Sequence, residues 1–240
     1  MTAALFLVDA LPPGDVIVLD GAEGRHAARV KRISAGEAVL ISDGRGSVAH
    51  CVVDTVASDQ LTLRVLERRT VPEPDPRVVV VQALPKGERA ELAVELLTEL
   101  GVDEIVPWAA SRSIAHWSGE RGAKALAKWR RVAAEAAKQS RRDRVPVVSE
   151  LASTVDVAGR LDKADAAFVL HEAAAESLTA AALPDRGEVV LVVGPEGGVS
   201  DDELDAFAAA RAVRLGDPVL RTSTAGAAAV AALSVRLKRW

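Results

Sequence analysis

Apolar residues along this 240-residue chain follow two patterns, and the change from one to the other divides it. Up to about residue 70, short apolar runs alternate with tight turns. Val16–Leu19, Ala38–Ile41, Val48–Val53 and Leu61–Leu66 are predicted strands. Pro13-Gly14, Ser34-Ala35-Gly36 and Asp43-Gly44-Arg45-Gly46 punctuate them. Between the first two strands, Glu23 to Arg32 predicts one short helix carrying four basic residues. Several short strands joined by turns suggest a small β-barrel over residues 1–70. Val71-Pro72-Glu73-Pro74-Asp75-Pro76 then places prolines at alternate positions, which favours a stiff extended spacer. A linker is therefore expected over residues 71–77 and a second domain over 78–240.

In that second part, apolar runs alternate with helical periodicity. Val78–Ala83 predicts a strand, Glu88–Leu100 a helix, Glu104–Pro107 a strand and Lys124–Arg141 a long helix. Further strands are expected near Val145–Val148, Ala166–Leu170 and Val189–Val193. The alternation argues for an α/β domain with a mostly parallel sheet covered by helices on both faces. Ligands in such sheets sit outside the carboxyl ends of the strands. Val189–Val193 is unalternated and mostly β-branched, as a strand buried on both faces would be. It stops at Gly194-Pro195-Glu196-Gly197-Gly198, whose glycines permit angles a Cβ forbids. Ser200 and Glu203 follow at capping-box spacing. A second glycine-bearing turn, Leu215 to Gly226, leads into the alanine-rich segment Ala227 to Leu233. Two such turns at strand ends predict a small-molecule pocket. Arg221, set among Leu220, Thr222 and Thr224, is expected to face the ligand, and His171 lies at the carboxyl end of another strand.

Composition narrows the chemistry. Gly194–Gly198 is not followed by Gly-Lys-Ser/Thr and does not read G-x-G-x-x-G, which argues against a P-loop or a dinucleotide cradle. Ser223 lacks the flanks of a nucleophile elbow. The chain has one cysteine and four histidines far apart in sequence, so neither a disulfide framework nor a metal site is expected. A single cysteine fits a reducing, cytoplasmic setting. Asp9 interrupts the N-terminal apolar run, so a signal peptide is not expected, and no run is long enough for a membrane helix. Only seven residues are Trp or Phe, so Val, Leu and Ala must fill the core; Cys51, Trp108 and Trp129 read as core residues. The net charge is −4, yet Arg121 to Arg144 holds nine Lys/Arg against Glu135 and Asp143. Such a basic helix in an acidic protein suggests contact with a nucleic-acid backbone. His26, in the basic N-terminal helix, fits either an RNA contact or plain surface. Trp117, beside His116, fits either base stacking or sealing the domain.

Taken together, these residues resemble the RsmE family of knotted SPOUT methyltransferases. His26 to Arg32 with Gly36-Glu37 and Asp43-Gly44-Arg45-Gly46 is similar to that family's PUA-like RNA-binding barrel. Lys86-Gly87-Glu88-Arg89, Glu99-Leu100-Gly101-Val102 and Ile105-Val106-Pro107 resemble its first SPOUT motif. Trp129-Arg130, Glu135 to Arg141 and Val145-Pro146 resemble its central helix. Gly194 to Gly198 and Leu215 to Ala225 resemble its cofactor-binding motifs. The chain departs from the family where Leu96 replaces a common lysine and where Ser223 replaces the acidic residue of Arg-Thr-Glu-Thr-Ala. The second exchange leaves no carboxylate at that position.

The resemblance implies a deep trefoil knot near the two turns and a homodimer through the SPOUT domains. It implies methylation of N3 of a uridine in 16S rRNA of the 30S subunit, using S-adenosylmethionine. Leu170, His171, Gly194, Pro195, Gly197 and Gly198 would bind the cofactor, with Leu215, Leu220, Thr222, Thr224 and Ala225. Arg221 would stabilise the developing charge on uracil, and Glu196 would be either the base or a brace for the turn. The RNA would meet Arg25, His26, Arg29 and Arg32, together with Lys86, Arg130, Lys138, Arg141 and Arg142. Three other readings stay open at this point: a non-catalytic rRNA-binding assembly factor, a SPOUT enzyme acting on tRNA ribose, and a nicotinamide oxidoreductase.

Overall fold

A computed structural model describes residues 3–240, which divide into two compact units. One gathers the chain up to Glu73 together with Ala137–Val145, and the other holds Pro74–Ala136 and Pro146–Trp240.

The first unit is a curled five-stranded sheet. Its strands are β1 (Ala4–Leu7), β2 (Val16–Leu19), β3 (Ala38–Ser42), β4 (Ser47–Val56) and β5 (Leu61–Thr70), ordered β1-β3-β4-β5-β2. Pairing is antiparallel except between β1 and β3, which run parallel. Alternation decides the faces: in β2, Ile17 and Leu19 are buried while Val16 and Val18 face out. The inward residues meet Phe6, Val39, Ile41, Cys51, Leu61 and Leu63 in one core. Register shifts at His50/Cys51 and Val53/Thr55 bend the long β4–β5 ribbon, as bulges do. β1 was not expected; its four residues are too few for a pattern, and pairing with β3 makes it a strand. The expected single helix over Glu23–Arg32 is instead α1 (Gly21–Arg25) running into a π-helical turn, His26–Val30, closed by Lys31 N–H to His26 O at 2.9 Å.

Ala137–Val145, expected in the second domain, packs with the first. Lys138 Nζ lies 2.9 Å from Glu23 Oε1, Arg69 Nη2 lies 2.6 Å from Asp143 Oδ1, and Arg144 donates to Val71 O at 2.9 Å.

In the second unit, six strands form one parallel sheet ordered β11-β9-β10-β6-β7-β8. They are β6 (Arg77–Ala83), β7 (Glu104–Trp108), β8 (Val147–Val148), β9 (Ala166–Leu170), β10 (Glu188–Val193) and β11 (Arg211–Val213). Val78 to Val81 and Val189 to Val192 have no exposed surface, so the central pair is buried on both faces as its unbroken apolar run implied. The helices are α2 (Arg89–Glu99), α3 (Gly119–Gln139), α4 (Thr154–Leu161), α5 (Asp201–Ala206) and α6 (Thr222–Arg236). Val79, Val81, Val190 and Val192 pack with Val157 and Leu161 of α4 and with Phe207 just after α5. α6 packs on β6, β10 and α2. The amino ends of three strands are tied by charge. Arg160 of α4 bonds Glu104 at 2.6 and 2.7 Å and Glu188 at 3.0 and 2.8 Å, and Arg77 reaches Glu104 at 3.1 Å. Burial works to raise the Glu104 carboxyl, but its bonds from Arg160 and Ser149 outweigh it and hold the group below its ordinary value.

Candidate functional site

The carboxyl ends of β9, β10 and β11 open on a cavity of about 570 Å³, a size suited to a small-molecule ligand. Both glycine turns line it. The first follows β10 directly. A Cβ on Gly194 would lie 2.8 Å from Val199 Cγ2, and one on Gly197 would lie 3.1 Å from Arg112 Cβ. These walls are bare backbone because nothing larger fits between them and their neighbours. The turn is held by the capping box that follows it. Ser200 Oγ accepts from Glu203 N–H at 3.3 Å, and Glu203 Oε2 accepts from Ser200 N–H at 2.9 Å. Glu203 is only 3% exposed, and its other oxygen, Oε1, accepts from Ser111 N–H at 2.7 Å. Burial works to raise this carboxyl, but the Ser111 and Ser200 donors prevail and keep it below its ordinary value.

The second turn runs from Arg214 to Arg221 and ends as α6 begins. Arg221 is the extended N-cap residue of α6; its carbonyl accepts from Thr224 N–H and Ala225 N–H, each at 2.8 Å. Among the described residues, the N–H groups of Thr222 and Ser223 have no backbone or side-chain acceptor, as the first turn of a helix leaves them. The third side of the cavity is His171, whose own N–H is fixed to Val213 O at 3.0 Å. Its Nδ1 accepts from Ala173 N–H at 3.2 Å, which places the proton of the neutral ring on Nε2.

Every residue assigned to the cofactor from the sequence lines this cavity except Thr224, whose Oγ1 turns back to Arg221 O at 3.1 Å. Arg221 and Glu196 line it as well; Glu196 Oε1 accepts from Lys86 N–H at 3.2 Å, bracing the glycine turn to the loop after β6. Ser223 does not reach the cavity. It is 1% exposed, and its Oγ has no partner among the described residues. Of the arginines that line it, Arg89 was named only within the first motif, and Arg112 and Arg214 were not named from the sequence. Arg112 was findable, since it follows the carboxyl end of β7.

The residues assigned to RNA differ in exposure and pairing. Arg25 and Arg32 are exposed, while Arg29 is paired with Asp59 at 2.6 Å and bonded to Ser58 O at 3.2 Å. The His26 ring is half-buried, edge-on to Phe6 at 6.3 Å. Lys86 and Arg141 are exposed, and Arg142 is half-buried. Arg130 donates to Val148 O at 3.0 Å and to Glu150 at 2.8 Å. The Lys138 side chain is only 12% exposed and spent on Glu23. Trp117 stands edge-on to the buried Trp129 at 5.0 Å, so it packs the unit. Among the described residues no cluster of His, Cys, Asp and Glu could hold a metal ion, and no helix is long and apolar enough to cross a membrane.

Comparison with known proteins agrees over nearly the full length. Residues 72–234 match an RNA methyltransferase domain and residues 19–66 an RNA methyltransferase PUA domain. The ribosomal RNA small subunit methyltransferase E of Mycobacterium bovis is 50% identical, over 100% of this chain and 94% of that protein. Its Bacillus subtilis namesake is 29% identical over 90% and 88%. The crystal structure of a ribosomal RNA small subunit methyltransferase E from Neisseria gonorrhoeae, bound to S-adenosyl methionine, superposes with a TM-score of 0.85. It is 28% identical and the match covers 98% of both chains.

Proposed function

Because this chain belongs to the ribosomal RNA small subunit methyltransferase E family, we propose that it methylates N3 of a uridine in 16S rRNA of the 30S subunit, with S-adenosylmethionine as donor. The observation that carries the reading is the backbone-walled cavity at the strand ends. Its features suit that donor. Gly194 and Gly197 admit a ligand against bare backbone. The unpartnered N–H groups at the start of α6 favour a carboxylate, and the Nε2–H of His171 offers one further donor. Leu170, Leu215, Leu220 and Ala225 supply apolar wall. Thr224 acts one step back, by holding the Arg221 carbonyl.

When bound, S-adenosylmethionine supplies an electrophilic methyl group on a sulfonium. The chain's own residues must do the rest. Uracil N3 is a poor nucleophile until its proton leaves, and the negative charge then spreads onto the two flanking carbonyl oxygens. Arg221, exposed at the cavity wall, stabilises that charge. Glu196 is the carboxylate assigned to take the proton; its Oε1 is already oriented by Lys86 N–H, which leaves Oε2 for the work. The uridine has to leave its stack to enter. Arg25, Arg32 and Arg141 are the exposed cations assigned to the rRNA backbone, with Lys86, whose N–H bonds Glu196 of the cavity wall. The family's trefoil knot, a homodimer through the larger unit, and a cytoplasmic site of action on the 30S subunit belong to the same proposal.

The test is methylation of unmodified 30S subunits, with the product nucleotide identified by mass. N3-methyluridine is expected, and no methylated uridine would overturn the assignment. Arg221→Ala should lower kcat at least about 10²-fold, the usual cost of one charge-stabilising donor. Activity near that of the unaltered protein would remove Arg221 from the mechanism.

A further inference from the structure

We propose that Arg112 is a positioning residue that grips a phosphate of the RNA beside the nucleotide entering the cavity. The inference rests on the rRNA-substrate reading above and gives that reading a specific anchor.

Four arginines line the cavity, and only one is built as a fixed anion receiver. Arg214 is paired with Asp217 at 3.4 Å. Arg89 and Arg221 have no side-chain hydrogen bond among the described residues, so nothing in the structure fixes their guanidinium groups. Arg112 differs from all three. Its Nη1 donates to Gly197 O at 3.2 Å and to Val199 O at 3.4 Å. Both acceptors are neutral carbonyls, so they orient the guanidinium and leave its charge intact. No carboxylate pairs with it among the described residues, and Nε–H and the Nη2 hydrogens are left over for a ligand.

The loop that carries Arg112 is itself stapled down. Ser111 N–H donates to Glu203 Oε1 at 2.7 Å, Ser111 Oγ lies 3.3 Å from Ser200 Oγ, and Ser113 N–H closes a turn on Ala110 O at 3.0 Å. Gly197 allows this close seating, since a Cβ there would lie 3.1 Å from Arg112 Cβ. A guanidinium placed by the fold loses little freedom on binding, and its planar fork matches a phosphate in a way an ammonium does not. Arg112 is also exposed at the cavity wall, where a polyanion can reach it.

The test measures binding of unmodified 30S subunits, with S-adenosylhomocysteine present, between about 50 and 200 mM salt. Loss of one phosphate contact should make the slope of log K against log [salt] shallower by about 0.7–0.9 for Arg112→Ala. Arg112→Lys should restore the slope, because the charge returns. It should leave kcat/KM several-fold low, because the fork does not. Calorimetric affinity for S-adenosylmethionine should change less than threefold in either variant, which also checks that the glycine turn has kept its shape. An unchanged slope in Arg112→Ala overturns the proposal. So does a tenfold loss of donor affinity, which would assign Arg112 to the cofactor. If the unaltered protein bound 30S subunits with no salt dependence, the failure would instead lie with the RNA-substrate reading.

Discussion

Glu203 is where the stability of the fold and the shape of the site depend on one carboxylate. It is 3% exposed and accepts from Ser111 N–H at 2.7 Å, Ser200 N–H at 2.9 Å and Ser200 Oγ at 3.0 Å. Glu203→Gln keeps the shape but leaves only one accepting oxygen. The new amide nitrogen must then face one of the two backbone N–H groups, donor against donor. Orphaning one buried donor costs about 1–3 kcal/mol. Losing a negative charge from the first turn of α5 adds about 0.3–1 kcal/mol. The expected loss is therefore about 1.3–4 kcal/mol at pH 7. For a chain of this length it should lower Tm by roughly 3–15 °C, read by calorimetry.

The pH dependence has a definite sign. The folded-state pKa of Glu203 is lowered, so the stabilisation is present above the ordinary glutamate value and fades as pH falls through the depressed one. The gap between the two proteins should be full at about pH 7 and smaller at about pH 3. A Tm difference under about 2 °C at neutral pH, or a gap equally wide at both pH values, would refute the reasoning.

Two further substitutions separate site from scaffold. Gly194→Ala puts a methyl group 2.8 Å from Val199 Cγ2 in the cavity wall, an overpacking cost of about 1–3 kcal/mol. Affinity for S-adenosylmethionine should drop at least about tenfold by calorimetry, and unchanged affinity would mean that this wall does not meet the donor. Arg160→Met removes the bidentate partner of both Glu104 and Glu188 and leaves Arg77, at 3.1 and 3.8 Å, as the one cation they still share. Since the Arg160 side chain is 26% exposed, the loss should fall somewhat below the roughly 3–5 kcal/mol of a fully buried pair, at about 2–3 kcal/mol. Urea unfolding should show the shift, while donor affinity stays as it was.

Elements whose signal is local were legible in the sequence. β9 spans Ala166–Leu170 as its apolar run does, and the Ser200/Glu203 spacing is a capping box with both bonds formed. β11 was not legible, because it is three residues long with Arg211 and Ala212 exposed; pairing with β9 alone makes it a strand. α4 carried a readable signal that went unused, a Ser153/Asp156 capping box. The cavity was legible for the same reason the strands were, since glycine turns at strand ends are sequence-local. For Arg112 the place after a strand end was legible but the anchoring was not, because it depends on carbonyls 85 and 87 positions further along the chain.

Charge was the least transferable reading, and the reason lies in pairing. A count over Arg121 to Arg144 treats each cation as available to RNA. In the structure Lys124 faces Glu120, Lys128 faces Glu91, Arg130 faces Glu150 and Lys138 faces Glu23. Arg144, oriented by the carbonyls of Val71 and Pro72, faces Glu73 at 3.7 Å. All five acidic partners lie outside the counted run, so no tally within it could have cancelled them. A cation already paired releases few counterions when it meets a phosphate, because its charge is partly neutralised beforehand. The electrostatic part of RNA binding then falls to cations that the fold leaves exposed or anchors on neutral carbonyls. Arg25, Arg32 and Arg141 are of the first kind, and Arg112 is of the second.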